Sequence, residues 1–285
     1  MRNALTIDVE DWFTSSLALF NAPLSAYGQC PTESVVTNTR LVLDLLGEYG
    51  HKATFFVLGT VVEYYPELAR EIYQRGHEIA THGYSHRLVY QMKTIEFKAD
   101  LEKAIEITKS AIGDRQFEIS GYRAPYFSLT RQSSSVFDFL IDKGIHYDSS
   151  IFPIRRKLYG DPDAPISLYA VYTRKEQRLW EFPPSTVRLL GQNLPIAGGG
   201  YLRLFPYFLI QWGIKRLNRA GQPAIIYVHP YELDPSDVSN RGNDGIAVGR
   251  LTRFTQSFGR KVMEKKLRRL LDDFDFGSIR EVFQV

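Results

Sequence analysis

Two imidazoles lie four residues apart in the stretch Ala80-Thr81-His82-Gly83-Tyr84-Ser85-His86, which follows a predicted strand at 77–80. On one turn of helix, side chains at positions i and i+4 share a face, so both rings can reach one cation. A pair at this spacing also arises by chance, with one ring at a helix end and the other in solvent. The chain has only six His, and a third, His229, follows another apolar run, at 223–228. The presence of a third His at the end of another predicted strand favours a metal site.

Strand-like runs alternate with helix-like runs along most of the chain. Apolar residues recur at helical spacing between Thr32 and Gly50, whereas Thr54-Phe55-Phe56-Val57 is rich in aromatic and β-branched residues. The alternation predicts an α/β fold with parallel strands, right-handed crossovers and functional loops at the carboxyl ends of the strands. The predicted strands are 5–9, 53–58, 77–80, 117–122, 145–150, 179–183 and 223–228, and the predicted helices are 32–50, 66–75, 94–112, 134–143, 206–220 and 259–273.

No linker or internal repeat divides the sequence, so we predict a single domain over residues 1–285. Pro, Gly and charged residues break the alternation between about 153 and 201, which predicts an irregular insertion. Its triplet Gly198-Gly199-Gly200 has no Lys-Ser/Thr after it and predicts a close turn rather than a phosphate loop. Residues from about 250 to 285 predict a helical extension, with 279–285 as a closing strand or a tail.

Composition fits a globular protein with a substantial core, since 44% of the 285 residues are hydrophobic and 24% are charged. The net charge of +3 is concentrated in Arg260-Lys261 and Lys265-Lys266-Leu267-Arg268-Arg269. No stacking aromatics interleave with these charges, so we expect a solvated helix face and no nucleic-acid partner. The single cysteine, Cys30, suits a reducing compartment. With no leader and no apolar run of membrane length, we expect a cytoplasmic protein without a transmembrane segment.

Polar side chains follow the predicted strands. Carboxylates at a strand end are costly to bury without a cation or hydrogen bonds. Two imidazoles and one carboxylate leave coordination positions open on a cation such as Zn²⁺, as in catalytic sites. A second carboxylate can act as a base and a further His can protonate a leaving amine, so the set predicts metal-assisted amide hydrolysis. The residues at successive strand ends are Asp8, Glu10, Asp11, His82, His86, Arg123, Asp148 and His229.

Five motifs, in order, resemble those of the polysaccharide deacetylases of carbohydrate esterase family 4, the NodB-homology deacetylases. The resemblance is greatest to the subgroup associated with exopolysaccharide and O-antigen loci, and it covers nearly the whole chain. It implies a distorted (β/α) barrel with seven or eight strands. The motifs are Leu5-Thr6-Ile7-Asp8, His82-Gly83-Tyr84-Ser85-His86, Gly121-Tyr122-Arg123-Ala124-Pro125-Tyr126, Tyr147-Asp148-Ser149-Ser150 and Val228-His229-Pro230-Tyr231-Glu232-Leu233-Asp234.

The resemblance also implies catalytic roles. Asp8 would be the general base, oriented by Arg123, and His229 would be the general acid. His82 and His86 would bind a divalent metal, Zn²⁺ or else Co²⁺ or Ni²⁺. On the residues alone, Arg123 could form a surface ion pair, but the nearby Pro125 stiffens the loop and favours a role in the active site.

Three further residues are predicted to bind substrate. The backbone near Tyr126 would help to hold the oxyanion, and Asp148 would line the pocket, although it could simply cap the turn that follows. Glu232 comes three residues after His229 and would either orient that ring or contact the substrate.

The first motif departs from the family pattern of two adjacent Asp residues, because Val9 follows Asp8. The carboxylate ligand is then Glu10, which shares the strand face of Asp8, or Asp11 if the strand ends early. Glu10 is favoured because relatives with an Asp-x-Asp version use the second acid, but its longer side chain could equally lie outside the coordination sphere and support a ligand.

Three functions remain open at this point. The first is a metal-dependent N-deacetylase acting on an N-acetylated, nucleotide-linked or lipid-linked sugar precursor, or on an oligosaccharide, in surface polysaccharide synthesis. The second is a metal-dependent hydrolase of cyclic imides or other small amides. The third is a catalytically impaired, glycan-binding member of a biosynthetic assembly.

Overall fold

A computed structural model of the chain describes residues 1–196, 198–237 and 249–285. A nine-stranded sheet lies at its centre, and a separate two-stranded hairpin is formed by β8 and β9. The strands are β1 (Asn3–Val9), β2 (Thr54–Val57), β3 (Glu78–Thr81), β4 (Gly121–Tyr122), β5 (Tyr147–Asp148), β6 (Tyr169–Arg174), β7 (Gln177–Glu181), β8 (Thr186–Leu189), β9 (Gln192–Pro195), β10 (Ile225–Val228) and β11 (Phe276–Gly277).

Helices connect the parallel strands. They are α1 (Trp12–Ser15), α2 (Ser34–Tyr49), α3 (Gly59–Tyr64), α4 (Pro66–Gln74), α5 (Thr94–Ile112), α6 (Ser134–Asp142), α7 (Gly200–Leu204), α8 (Tyr207–Arg219), α9 (Arg250–Ser257), α10 (Met263–Asp273) and α11 (Ile279–Phe283). None of these helices combines the length and the apolar character that a membrane crossing needs.

The strand order is β10-β1-β2-β3-β4-β5-β7-β6, with β11 beside β1. Every pair in this sheet is parallel except β6 with β7. The predicted α/β class with mostly parallel strands is therefore confirmed. Parallel order brings the carboxyl ends of β1, β3, β4 and β10 to the same edge of the sheet.

Backbone contacts link the segment after β7 to β10 at the far end of the strand order. Ser185 donates its backbone N–H to the Ile225 carbonyl at 3.1 Å, and Gly198 forms an isolated bridge with Tyr227. Gly198 has φ 133°, and a Cβ there would lie 1.8 Å from the Tyr227 oxygen, so only glycine permits this approach. The predicted glycine turn thus helps to close the sheet into the form of a distorted barrel.

The barrel interior is filled at the amino-terminal end of the strands by the end of the chain. Residues 279–285 were expected to be a closing strand or a tail, but 279–283 form α11 instead. Its Ile279 is buried among inward-facing strand residues, and the Phe283 ring lies 4.7 Å from that of Phe182. Ser278 caps this helix by accepting from the Glu281 N–H. Part of the predicted helical extension therefore belongs to the central fold, since β11 pairs with β1.

Two predicted strands are much shorter than expected. The runs 117–122 and 145–150 give only the two-residue strands β4 and β5. Phe117, Ile119 and Ile145 are buried against helices without joining the ladder, because an apolar run reports burial and not pairing. The insertion also contains more order than predicted, including β6, β8 and β9.

Candidate metal and catalytic site

Asp8 and Glu10 emerge on one face at the carboxyl end of β1. Val9, between them, points into the core beneath the helices, as strand alternation requires. Both carboxylates are almost completely buried. They line a pocket of ≈ 280 Å³ that also contains His82, His86 and His229. The ends of β1, β3 and β10 thus bring five of the predicted polar residues into one pocket.

The two motif imidazoles do not share a turn of helix. His82 directly follows β3, and the chain then bends through Gly83 (φ 74°) and His86 (φ 59°), both in the left-handed region. The Asp100 carboxylate of α5 holds this bend by accepting from the backbone N–H groups of Tyr84 (2.7 Å) and Ser85 (3.1 Å). The helical geometry assumed for the pair was wrong, because Gly83 and the Asp100 contacts favour a loop.

Glu10, His82 and His86 form a compact group of ligand atoms, all within 4.8 Å of one another. Glu10 Oε2 lies 2.6 Å from His86 Nε2 and 3.6 Å from His82 Nε2. His82 Nδ1 lies 2.8 Å from the Arg123 carbonyl, a contact that requires the proton on Nδ1 and leaves a lone pair on Nε2.

The donor set fits a divalent cation. An imidazole lone pair facing a carboxylate oxygen is repulsive unless a cation lies between them, and Glu10 Oε2 is buried without a hydrogen-bond partner among the described residues. One carboxylate oxygen and two imidazole nitrogens are ligands that Zn²⁺ accepts in open sites. Glu10, His82 and His86 are therefore the residues that would hold the metal.

Asp11, the alternative ligand, lies outside this group. Its Oδ1 accepts from the Thr14 N–H at 2.8 Å and so caps α1, and its Oδ2 accepts from the N–H and hydroxyl of Thr32, each at 2.7 Å. Because these donors occupy both oxygens, the carboxylate ties α1 to the loop before α2.

Asp8 is paired with Arg123, whose guanidinium is completely buried. Arg123 Nη1 donates to Asp8 Oδ1 at 2.6 Å and to Thr6 Oγ1 at 2.8 Å. Nε and Nη2 donate to the carbonyl (3.0 Å) and hydroxyl (2.7 Å) of Ser149. The alternative of a surface ion pair is excluded for Arg123. Its single hydrogen bond to Asp8 uses Oδ1 and leaves Oδ2 directed towards His229.

His229 lies across the pocket from the two carboxylates. Its Nε2 is 3.5 Å from Glu10 Oε1 and 3.8 Å from Asp8 Oδ2, and its ring stacks on Tyr231. Nδ1 lies 3.1 Å from Glu232 Oε2. Burial disfavours the charged ring, but the carboxylates of Glu232, Glu10 and Asp8 outweigh it and raise the pKa of His229 to about 9.

Glu232 is held between His229 and Arg203. Its Oε1 accepts from Arg203 Nε at 2.8 Å. Burial raises the pKa of a carboxyl, but His229 and Arg203 prevail and lower that of Glu232 to about 2. The same competition, with His86, His82 and His229 opposing burial, holds the pKa of Glu10 well below 4.5. Of the two roles predicted for Glu232, these contacts favour orienting His229.

Tyr126 lies against the candidate metal ligand His86. Its ring is 4.7 Å from that of His86, and its hydroxyl accepts from the Ala18 N–H at 3.1 Å. Tyr126 (φ 55°) and Phe127 (φ 52°) are consecutive left-handed residues. This is an uncommon backbone that places both residues on the pocket wall.

Asp148 is behind the pocket and not among its lining residues. It is completely buried beside Glu181, its parallel neighbour on β7, and accepts from the Ser150 hydroxyl. Burial raises the pKa of Asp148 to about 6, and burial with repulsion from Asp148 raises the pKa of Glu181 further. The two carboxyls are therefore expected to share a proton beneath the site.

Sequence reasoning missed several residues that shape the site. Asp100 lies in the middle of a helix and Arg203 in the irregular insertion, where no local pattern signals a role. Glu181 belongs to a predicted strand, but a charged residue at an alternating strand position normally faces solvent and signals no role. Tyr159 and Tyr227 line the pocket beside the aromatic rings of Tyr126 and Phe127, while Tyr201 packs behind them.

Comparison with known proteins then adds a family. Residues 27–140 match the family model described as polysaccharide deacetylase. This segment, less than half of the chain, is similar to the polysaccharide deacetylase family. Residues 149–284 match a model described as a domain of unknown function, DUF3473. The family segment supplies His82, His86 and Arg123, whereas His229 comes from the second segment and Asp8 and Glu10 precede both.

Curated relatives of the family match part of the chain. A peptidoglycan deacetylase-like protein of Gibberella zeae is 30% identical over 149 residues, 52% of this chain and 42% of its own. The peptidoglycan deacetylase of Helicobacter pylori is 30% identical over 110 residues, 39% of this chain and 36% of its own. The chain thus spans less than half the length of either relative.

Solved structures extend the likeness to the whole fold. A Mycobacterium smegmatis protein assigned to the polysaccharide deacetylases has a TM-score of 0.61 at 19% identity, covering 100% of this chain and 90% of its own. An allantoinase has a TM-score of 0.58 at 13% identity, covering 94% and 82%. Identities this low show the fold alone.

Proposed function

We propose that the chain is a metal-dependent N-deacetylase that removes an acetyl group from an amino sugar. The observation that carries the proposal is the placement of Glu10, His82 and His86 in one pocket with Asp8 and His229. The curated relatives named as peptidoglycan deacetylases support the substrate class. In detail, we propose a nucleotide-linked or lipid-linked precursor in the cytoplasmic synthesis of an exopolysaccharide or O-antigen, on the strength of the five-motif resemblance.

The residues divide the reaction between two faces of the pocket. Glu10, His82 and His86 would hold a divalent cation, Zn²⁺ in this proposal, which would supply Lewis-acid polarisation of the acyl carbonyl. Asp8 Oδ2 accepts a proton from the attacking water while Arg123 keeps Oδ1 occupied. His229 Nε2 donates a proton to the amine as the carbon–nitrogen bond breaks, which releases acetate and the free amino sugar.

Second contacts keep both catalytic groups in position. Glu232 accepts from His229 Nδ1, so the ring presents Nε2–H to the pocket. Arg203 in turn holds Glu232. The aromatic wall of Tyr126, Phe127 and Tyr159 offers apolar surface against which a sugar ring can pack.

Acetate release tests the proposal directly. The zinc-loaded protein is incubated with N-acetylglucosamine oligosaccharides, a UDP-linked N-acetylated sugar and a cyclic imide. We expect acetate from at least one saccharide and a loss of roughly 10²- to 10⁴-fold in Asp8→Asn, because the base is removed. Asp44→Asn, an exposed carboxylate on α2, serves as the matched control and keeps full activity.

Two results would reject the proposal. Ring opening of the imide without acetate release would assign the site to small amides. Saccharide binding without either reaction would make the chain a glycan-binding protein.

A further inference from the structure

A second concave surface lies outside the catalytic pocket, between α7, α9 and α10. This groove of ≈ 690 Å³ is lined on its apolar side by Leu204, Phe205, Phe254, Phe258 and Val262. Phe254 is 65% exposed, Phe258 52%, Leu204 50% and Val262 46%. Single exposed apolar side chains are ordinary, but several around one groove mark an interaction surface. We refer to these five residues as the apolar groove.

The surroundings of the apolar groove are strongly basic. Its charged lining residues among those described are Arg203, Lys261 and Lys266, and none of its described lining residues is acidic. Residues 250–269 contain eight Lys and Arg residues against a single acidic one, Glu264. The net charge of the whole chain is only +3, so the excess is concentrated beside the groove.

Some of these cations bind groups of the chain itself, and others are exposed to solvent. Lys266 Nζ donates to the carbonyls of Leu202, Arg203 and Phe205, at the carboxyl end of α7. Arg268 pairs with Glu48 and Glu264. Lys261 and Lys265 are exposed, and within the described ranges no carboxylate pairs with either of them. These two charges are free to meet an external anion.

We propose that the apolar groove and its basic rim dock on a bilayer that contains anionic lipids. Protruding Phe and Leu side chains suit the boundary between headgroups and acyl chains, and adjacent Lys residues suit anionic headgroups. Charge complementarity selects this occupant, because a neutral partner would gain nothing from Lys261 and Lys265, which are exposed and have no carboxylate partner among the described residues. The inference stands on this surface and is independent of the reaction in the catalytic pocket.

Docking there would bring the catalytic pocket close to the bilayer. Arg203 lines both the pocket and the groove, and the neighbouring residues Gln256 and Ser257 line one each. A substrate presented at the membrane surface would then be near Glu10 and His229 without leaving the interface.

Vesicle co-sedimentation tests the proposal with the full chain. We expect binding to phosphatidylcholine vesicles that contain phosphatidylglycerol, weaker binding to phosphatidylcholine alone, and a decrease with added salt. The double variant Phe254→Ser/Phe258→Ser should lower the partition coefficient by about tenfold or more. Lys261→Ala/Lys265→Ala should lower it by roughly 25-fold, since each charge near the surface contributes about fivefold.

Matched variants on other faces keep the test specific. Ile95→Ser removes an apolar side chain that is 71% exposed, and Arg188→Ala removes an exposed cation from β8; neither should change binding. Circular dichroism and thermal unfolding confirm that every variant is folded. The proposal is overturned if the wild type does not bind anionic vesicles or if the groove variants bind as well as the wild type. It is also overturned if ultracentrifugation shows that they only dissociate an oligomer.

Discussion

Arg123 is completely buried, and its charge is stabilised by a single carboxylate, Asp8, together with Thr6 and Ser149. An ionic pair of this kind contributes little net stability against an apolar replacement, but removal of one member leaves the other charge buried alone. The pair therefore fixes the orientation of Asp8, and loss of either member would destabilise the fold. The sequence could suggest this role for Arg123 only through the family resemblance.

Replacing Arg123 by Leu should lower the free energy of unfolding by about 3–5 kcal/mol, because Asp8 loses its buried counter-charge. Arg131→Leu is the matched control, since Arg131 is exposed in its pair with Asp161 and should cost less than about 1 kcal/mol. Urea denaturation measures both. Equal losses in the two variants would show that burial of the Asp8 pair has no special consequence.

His77 lies at the start of β3, far along the strand from the metal ligands, and its Nδ1 accepts from the Ala53 N–H at 3.3 Å. Burial, with repulsion from Lys52 and Arg75, lowers the pKa of His77 to about 4. An unfolded His titrates near pH 6.5, so between these values the unfolded chain binds a proton that the folded chain does not. The free energy of unfolding is therefore unaffected by titration of His77 above about pH 6.5, and protonation of the unfolded chain lowers it as the pH falls towards 4.

Acid titration of stability checks this sign. Between pH 7 and 5 the wild type should lose about 2 kcal/mol more unfolding free energy than His77→Gln, which keeps an acceptor for the Ala53 N–H but does not titrate. Urea midpoints at the two pH values provide the comparison. An identical pH dependence in the two proteins would mean that His77 titrates normally in the fold.

The candidate metal and catalytic residues depend on elements that do not carry them. The loop from Gly83 to His86 is held by the Asp100 carboxylate on α5, and His229 is held by Glu232 at the end of β10. Most helix bounds and glycine stops were predictable, because periodicity and Gly report local backbone states, whereas two strands were predicted too long. The role of Asp100 was not, since it depends on how α5 lies against β3 and no sequence spacing encodes that contact.

Replacing Asp100 by Ala should weaken zinc binding by about 10- to 100-fold, although Asp100 does not contact the ligand atoms. The reason is that the backbone of Tyr84 and Ser85 loses its acceptor and His86 loses its fixed position. Glu102→Gln is the control, an acid two residues along the same helix whose pair with Lys143 lies at the surface. Competition with a chromophoric chelator gives the affinities. An unchanged affinity in Asp100→Ala would show that the loop is held by other contacts.

For the whole molecule, the parallel strand order assembles a pocket from residues as distant in sequence as Asp8 and His229. The alternation of strands and helices predicted this edge, and the motifs predicted most of the residues there. Three features could not be predicted, because they arise from long-range packing: the approach of Gly198 to Tyr227, the helical plug of residues 279–283, and the burial of Asp148 beside Glu181 instead of in the pocket. Each depends on segments whose local pattern permits several conformations.

Metal content tests most directly whether Glu10, His82 and His86 hold one divalent cation. Protein purified without chelators or a metal-binding tag is loaded with Zn²⁺, freed of excess by gel filtration and analysed for metal and protein. The account predicts about one equivalent in the wild type, retention in Asp11→Asn, and loss in His82→Ala and Glu10→Gln. A metal-free wild type, or loss in Asp11→Asn with retention in Glu10→Gln, would contradict it.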